Sequence, residues 1–265
     1  MLLIGCDPEF TMIDKKGKPV CSNPYLEKLI PHFRRKIGRD RGGGGYIWEL
    51  RPNPSTNPRE VVEEIRYLFS QIAIHCPETL QYTWLAGSSV KGLPLGGHIH
   101  FGVFLEKEMI MALDVLLAPV VALINDQEKL TKRQRQGYGQ LGDWRKKAHG
   151  FEYRSLGSWL WAPGITLGIL ALAQVIVWDS LKRRLPLKKI AKLECSGYIL
   201  NDKISISEAR NFFPQIWETI ASLRSVKRFW PEISFLKELV LRQRTWENGQ
   251  DIKARWRISS TNKPA

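Results

Sequence analysis

Four short motifs constrain the fold of this chain, because each places two ionisable side chains two positions apart in a strand-like segment. Residues two apart in a β-strand project from the same face of the sheet. Each segment therefore presents its ionisable pair to one side, and four such strands in one sheet would build one site. The motifs are Asp7-Pro8-Glu9, Trp48-Glu49-Leu50-Arg51, His98-Ile99-His100 and Phe151-Glu152-Tyr153-Arg154.

The first two motifs supply carboxylates. Asp7 and Glu9 share a strand face, and two adjacent carboxylates repel each other unless a cation lies between them. Hard divalent ions such as Mg²⁺ prefer such oxygen ligands, although a solvent-exposed strand face is the simpler alternative. Glu49 has apolar neighbours, which favours a sheltered pocket, and an isolated salt bridge with Arg51 is the alternative there.

The third motif supplies two histidines in phase, His98 and His100, between paired glycines and Gly102. Imidazole is a metal ligand and also a donor to phosphate, and glycine lets the backbone approach a ligand closely. A single histidine is more often structural, so the in-phase pair favours a site.

A basic segment precedes the fourth motif. Arg145, Lys146 and Lys147 are predicted to lie on a loop, and Arg154 shares a strand face with Glu152. Guanidinium groups bind phosphate bidentately and neutralise charge on a transferring phosphoryl group. Acids for a metal and bases for a polyphosphate together fit ATP chemistry, whereas a solvated basic loop is the alternative. The chain has no P-loop and no Gly-x-Gly-x-x-Gly helix start, so a nucleotide would have to lie on the sheet.

The overall charge indicates an anionic partner. The formal net charge of the 265-residue chain is +14, which suits a nucleic acid, a nucleotide or an acidic substrate. The basic residues are scattered along the chain, however, so nucleic-acid binding as the main function is not favoured.

The residue pattern predicts an α+β fold. Strands are expected over 2–13, 46–51, 83–87, 97–104 and 150–160, with 19–22 as a hairpin partner of the first. Helices are expected from Pro58, capped by Asn57, and over 106–127, 205–223 and 229–244. We expect one domain over 1–265, with a motif-bearing part (1–165), a helical part (166–258) and a loose tail (259–265). Its antiparallel sheet would carry helices on one face.

Cysteine usage and hydropathy indicate a cytoplasmic protein. The four cysteines form no Cys-x-x-Cys pair, so a structural zinc site is not expected and reduced thiols are. The N-terminal apolar run is too short for a signal peptide. The most apolar stretch, 165–178, is shorter than the roughly 20 residues of a membrane span, so we expect a buried helix.

The motifs, taken in order, resemble those of the phage-type carboxylate–amine ligases, which belong to the glutamine synthetase and glutamate–cysteine ligase superfamily of amidoligases. The resemblance covers residues 2–165. It is carried by Asp-Pro-Glu-Phe, Glu-Leu-Arg-Pro, Gly-Gly-His-Ile-His-Phe-Gly, Gly-Asp-Trp-Arg and Phe-Glu-Tyr-Arg-Ser-Leu.

The resemblance implies a glutamine synthetase-like antiparallel sheet that forms a cleft for ATP and Mg²⁺ or Mn²⁺, with helices on its outer face. Arg145, Arg154 and Glu152 are implied as catalytic. The implied metal ligands are Asp7, Glu9, Glu49, His98 and Glu152. The residues implied to contact the nucleotide are Arg51, His100, Arg145, Lys147 and Arg154. Asp7 replaces the longer glutamate that is frequent at this position in glutamine synthetase.

The implied reaction joins a carboxylate to an amine. The carboxylate attacks the γ-phosphate of ATP to give an acyl phosphate, and the amine then displaces phosphate. The acid and the amine, small molecules or peptides, stay open, as does the oligomeric state. Three alternatives remain at this stage: a guanidino kinase-like phosphotransferase, a basic nucleic-acid-binding protein and a metal hydrolase using Asp7, Glu9, His98 and His100.

Overall fold

The structure is a computed structural model that describes residues 2–40, 44–245 and 250–259. Its strands are β1 (Ile4–Ile13), β2 (Ile37–Arg39), β3 (Ile47–Leu50), β4 (Thr83–Leu85), β5 (Ser89–Val90), β6 (Leu93–Pro94), β7 (Gly97–Phe101), β8 (Trp144–Lys147), β9 (Gly150–Tyr153), β10 (Ile199–Leu200) and β11 (Lys203–Ile204).

Seven of the described strands form one open antiparallel sheet. The order is β2-β3-β1-β7-β9-β8, and β4 pairs with the end of β1. The two short hairpins β5-β6 and β10-β11 lie outside this sheet. The α+β architecture with an antiparallel sheet is therefore confirmed.

The helices are α1 (Asn23–Leu26), α2 (Pro31–Lys36), α3 (Pro58–His75), α4 (Lys107–Ala112), α5 (Ala118–Leu123), α6 (Gln127–Arg135), α7 (Pro163–Leu181), α8 (Leu187–Glu194), α9 (Ile206–Asn211), α10 (Phe213–Ala221), α11 (Trp230–Leu241) and α12 (Ile252–Trp256). Short 3₁₀ segments cover Pro77–Gln81 and Val226–Phe229.

Helices cover one face of the sheet. On β1, Phe10 projects to this side and packs against Phe69 of α3, with ring centroids 5.2 Å apart. Helix α3 begins as its sequence predicts, since Asn57 accepts a hydrogen bond from the Arg59 amide and Pro58 occupies the first turn. The opposite face of the sheet is left for the ionisable side chains.

Helix α7 is a core helix. It is long and apolar enough to cross a membrane, but 72% of its most apolar window is buried within the fold. It packs against α3 and α11, and Gly168 makes the second contact close, because a Cβ there would lie 2.7 Å from the carbonyl of Glu232. Its apolar surface is therefore accounted for by packing inside the protein.

Three predicted elements differ in the structure. The strand expected over 150–160 ends at Tyr153, and beyond it only Gly157 makes an isolated bridge. The expected partner over 19–22 is likewise one bridge, from Pro19 to Ile13. The basic segment before Glu152 is not a loop, because it pairs with β9 as the edge strand β8; lysine and arginine lack the apolar alternation that marks a strand.

Two predicted helices are interrupted. The helix expected over 106–127 consists of α4 and α5 joined by a π-helical turn, Leu113–Leu117, and it ends at Leu123. The helix expected over 205–223 is two helices, because Pro214 starts α10 anew, and Ser205 makes no side-chain capping bond. The predicted loose tail, 259–265, lies outside the described residues except for Ser259.

Helix α12, the last described helix, packs into the core of the motif-bearing part of the chain. Trp256 of α12 is fully buried, its ring contacts Phe69 at 5.2 Å, and its Nε1 donates to the Leu160 carbonyl at 2.8 Å. The C-terminal helices are therefore part of the same packed unit as the motif-bearing strands.

We expect Trp256→Ala to destabilise the whole protein by about 3–5 kcal/mol, the usual cost of truncating a buried tryptophan. Urea denaturation followed by both circular dichroism and tryptophan fluorescence would measure the loss. The matched control is Arg255→Ala, since Arg255 is exposed on the same helix and should change stability by less than about 0.5 kcal/mol. Equal effects of the two substitutions would contradict the packing described.

Candidate active site

The register of the sheet brings the four motifs together. Along β1, Asp7 pairs with His98 of β7, and Glu9 pairs with Glu49 of β3. Farther across the sheet, His100 pairs with Glu152 of β9. Directly paired residues of antiparallel strands project from the same face, so these side chains form one continuous band on the face opposite the helices.

Asp7 and the two histidines are the centre of this band. Nδ1 of His98 lies 3.2 Å from one carboxylate oxygen of Asp7, and Nε2 of His100 lies 3.1 Å from the other. Burial acts to raise the pKa of Asp7, but the adjacent imidazoles outweigh it and hold that pKa below its usual range. Asp7 is therefore a carboxylate at neutral pH.

Glu152 is the second buried carboxylate of the cluster. Its side chain is inaccessible to solvent, and Arg145 donates to both of its oxygens, at 2.8 and 2.9 Å. Nζ of Lys147 lies 2.7 Å away and Nε of Arg154 3.5 Å away. Burial acts to raise the pKa of Glu152, but Lys147, Arg145 and His98 outweigh it and lower that pKa.

Asp7, His100 and Glu152 fit a divalent cation. One ligand atom from each lies within 4.8 Å of the other two. Oδ1 of Asp7 and Nε2 of His100 are buried without an aligned hydrogen-bond partner, which is costly for polar atoms unless another ligand satisfies them. Carboxylate and imidazole donors suit Mg²⁺ or Mn²⁺.

Glu9 and Glu49, which pair across β1 and β3, add two more carboxyl groups to this band. Oε2 of Glu9 accepts the amide of Gly96 at 2.6 Å, and burial raises the pKa of Glu9 to about 8. Burial also raises the pKa of Glu49, which pairs with Arg51. A buried acid and a half-buried acid that face each other across paired strands are readily neutralised by a bound cation.

His98 borders both carboxylates of the cluster. Its Nδ1 is 3.4 Å from Oε1 of Glu152 as well as 3.2 Å from Asp7. Burial favours the neutral imidazole, but Asp7 and the other acids outweigh burial and raise the pKa of His98. The resemblance implies that His98 binds the metal and that His100 contacts the phosphates. Both imidazoles lie beside Asp7, and His100 forms with Asp7 and Glu152 the group that could hold a metal ion.

A cavity of about 540 Å³ opens over the band. It is lined by Asp7, Glu49, Arg51, His100, Arg145, Lys147 and His149, together with apolar and glycine residues of the adjoining loops. Arg154 lies beside it, where its guanidinium is 3.3 Å from Asp143 and its backbone amide donates to the Asp143 carbonyl at 2.9 Å. All the predicted site residues thus lie in or beside one cleft, and their individual roles stay predictions.

Two residues of the cleft were missed by sequence reasoning. His149 stacks on His100, with ring centroids 5.4 Å apart and an interplanar angle of 12°. His149 lies on the turn before Gly150. Position 150 requires glycine, because its φ is +145° and a Cβ there would lie 2.1 Å from the carbonyl oxygen of Phe101. Asp143 holds Arg154, and its place in Gly-Asp-Trp-Arg was the available signal.

Comparison with known proteins bears on the family and on the fold. The family model "Phage phiEco32-like COOH.NH2 ligase-type 2" matches residues 4–258, which extends the resemblance of the motifs over the helical part as well. A solved structure titled "Crystal structure of novel glutamine synthase homolog" matches with a TM-score of 0.52, covering 97% of this chain and 70% of that chain. At 10% identity this likeness supports the fold alone. No curated protein matches the chain.

The raised pKa of Glu9 predicts a pH-dependent stability. Because that pKa is about 8 in the folded state against 4.5 ordinarily, the folded protein holds a proton that the unfolded chain releases in this window. Metal-free protein should therefore lose stability relative to Glu9→Gln as pH rises from about 4.5 to 8, by up to about 1.4 kcal/mol per pH unit.

Urea denaturation in EDTA at several pH values would measure this difference. Glu218→Gln, at an exposed position of α10, is the matched control and should keep the wild-type profile. Added Mg²⁺ at pH 8.5 should restore more stability to the wild type than to Glu9→Gln. Parallel pH profiles for the wild type and Glu9→Gln would refute the assignment of the raised pKa.

Proposed function

The chain belongs to the phage phiEco32-like COOH.NH2 ligase-type 2 family, and from this premise we propose that it is an ATP-dependent carboxylate–amine ligase that acts through an acyl phosphate. Family membership supports a ligase; ATP dependence and the intermediate are our proposal. The proposal also takes the protein to be phage-encoded and to act in the cytoplasm of the infected bacterium. The cysteines, all free thiols, suit that reducing compartment.

The observation that carries the proposal is the pairing of Asp7, His100 and Glu152 on the cleft face. Buried ligand atoms of Asp7 and His100 that lack an aligned hydrogen bond lie next to two cations, Arg145 and Lys147. A site that holds both a divalent ion and a polyphosphate needs this combination of acids and bases.

The acidic band would hold the metal. We assign this role to Asp7, Glu9, Glu49, His98 and Glu152, and the geometry adds His100. A bound Mg²⁺ or Mn²⁺ would neutralise phosphate charge and polarise the phosphoryl group. Without a cation, Glu152 is balanced by Arg145, Lys147 and Arg154, and Glu49 by Arg51.

The same cations would bind the nucleotide. Arg51, Arg145 and Lys147 line the cavity, and His100 lies at its floor beside Asp7. Arginine matches the geometry of phosphate oxygens with two parallel hydrogen bonds. Arg154 stands at the end of β9, next to Glu152, where it would hold the transferring phosphoryl group.

The proposed reaction proceeds in two steps. A carboxylate oxygen of the acid attacks the γ-phosphorus of ATP, the bond to the β-phosphate oxygen breaks, and ADP leaves with the bonding electrons. The neutral amine nitrogen then attacks the acyl carbon, orthophosphate leaves, and the nitrogen loses a proton as the amide forms. The cleft residues act by orientation and charge, and no protein nucleophile takes part.

The acid and the amine are small molecules or peptides in this proposal. A basic cleft rim and a net charge of +14 favour an acidic substrate. Incubating the protein with ATP, Mg²⁺ and pairs of acids and amines, with phosphate release and product mass as readouts, tests it. An amide product formed with ADP and phosphate supports the ligase; phosphorylated product without amide would identify a phosphotransferase instead.

Glu152→Gln should abolish ATP turnover, since it removes the charge of the carboxylate that faces both Asp7 and the basic residues. We expect a loss of at least a hundredfold in phosphate release, with unchanged circular dichroism. Glu218→Gln, at an exposed position outside the cavity lining, serves as the control and should turn over ATP normally. Turnover at the wild-type rate in Glu152→Gln would overturn the metal-site assignment.

Arg154→Ala should slow the chemical step far more than it weakens nucleotide binding. Loss of one fixed donor to a developing charge costs about 10²–10³ in kcat, whereas Arg51, Arg145 and Lys147 remain to bind ATP. Steady-state kinetics would compare kcat with the KM for ATP. A large rise in KM at constant kcat would show that Arg154 acts in binding alone.

A further inference from the structure

Arg133 of α6 is a buried cation that has no role in the reaction proposed above. Its relative accessibility is 2%, and its Nε has no hydrogen-bond partner. Among the described residues, the Arg133 side chain makes one hydrogen bond, a long one from Nη1 to the Ser155 carbonyl at 3.3 Å. Arg145, Lys147 and Arg154 all form ion pairs with carboxylates. Within the described parts of the chain, Arg133 forms no such ion pair.

A guanidinium in this position is energetically unfavourable. Transfer of a charge out of water is costly unless it is paired and hydrogen-bonded. Burial lowers the pKa of Arg133 to about 10, so the group still carries its charge at neutral pH. The fold therefore keeps a positive charge beneath its surface without a matching carboxylate.

A second guanidinium adjoins it. Arg154 precedes Ser155, to which Arg133 is bonded, and its Nε lies 3.5 Å from Oε1 of Glu152 without an aligned hydrogen bond. The two positive charges oppose each other. Asp143 and Glu152 both lie beside Arg154, whereas no ion pair reaches Arg133 within the described residues.

The backbone holds Arg133 in this position. Gly139 has a φ of +76°, and a Cβ there would lie 2.1 Å from Nη1 of Arg133. Gly137 and Gly142 in the same loop also have positive φ, a conformation that favours glycine. The loop therefore lies directly on the guanidinium, and a side chain at position 139 would displace it.

We propose that Arg133 and Arg154 form one binding site for a phosphate-sized oxyanion. A tetrahedral dianion would accept hydrogen bonds from the Nε groups of both arginines, which lack aligned partners, and would compensate the unpaired charge of Arg133. The role of this site in catalysis, as the place where the phosphoryl group leaving ATP and the orthophosphate product are held, rests on the proposed function. The anion site itself does not depend on it.

The proposal makes a distinctive prediction for Arg133→Met. Methionine fills a similar length without a charge, so the variant should be at least as stable as the wild type in phosphate-free buffer. Inorganic phosphate should raise the Tm of the wild type saturably, and the phosphate affinity of Arg133→Met should be at least tenfold weaker. Thermal unfolding of the full chain in metal-free buffer, at constant ionic strength, measures both.

Two controls separate the site from surface charge and from the nucleotide pocket. Arg135→Met removes an exposed arginine of the same helix and should leave the phosphate response unchanged. ADP, which lacks the transferred phosphate, should stabilise the wild type and Arg133→Met equally. A loss of the ADP response together with the phosphate response would overturn the assignment of Arg133 to the phosphate subsite.

Other outcomes would also overturn it. A wild-type phosphate response in Arg133→Met, or the absence of a response in the wild type, shows that no such site exists. A variant that is less stable at every phosphate concentration shows that Arg133 serves only the fold. If Arg133→Met fails to fold, Arg133→Lys is the deciding variant, because lysine keeps the positive charge but lacks the planar guanidinium that binds phosphate with two hydrogen bonds. Unchanged phosphate affinity in Arg133→Lys contradicts the proposal.

The phosphate-binding experiment and the ligase proposal can fail independently of each other. Phosphate binding that requires Arg133, in a protein that never turns over ATP, supports the anion site and removes the proposed function. ATP-dependent amide formation that is unaffected by Arg133→Met supports the proposed function and removes the catalytic role of the anion site, whose existence the phosphate response decides.

Discussion

The structure depends on the pairing of β1 with strands on both of its sides. A slip of one residue in a strand turns every side chain to the opposite face. On β1 such a slip would bury Asp7 and Glu9 under the helices and expose Phe10 in the cleft. The packing of Phe10 against Phe69 and Trp84 prevents this. The apolar face of the sheet thus sets the position of each ionisable group on the other.

Some features of the fold and of the cleft could be predicted from the sequence and others could not, because residues differ in the sequence signal that they carry. The period of two predicted the shared strand faces of Asp7 with Glu9 and of His98 with His100, and the Asn57-Pro58 signal predicted the start of α3. The edge strand β8 was missed because its basic residues show no apolar alternation; it exists through hydrogen bonds to β9. Neither the stacking of His149 on His100 nor the burial of Arg133 could be predicted, because both depend on contacts between distant or turn-forming segments.

The cleft is organised by charge compensation inside the protein. Buried acids are matched by Arg51, Arg145 and Lys147, so the fold tolerates a dense cluster of carboxylates before any ligand is present. Part of the large positive charge of the chain therefore serves the acids of its own cleft. At Arg133 the balance is reversed, since this guanidinium is buried and forms no ion pair within the described residues. The fold thus combines a cleft suited to cations with a buried group suited to an anion.

The contacts of α12 have a consequence for biosynthesis. Asp251 accepts from the amide of Trp84, 167 positions earlier, and Trp256 packs on Phe69. Contacts so distant in sequence form late, because the intervening chain must be ordered first. A nascent chain emerging from the ribosome therefore holds all four motifs before it can close the layer that supports them. It follows that the cleft acquires its final shape only after translation has passed Trp256, and that prematurely terminated chains would be left with an exposed aromatic core.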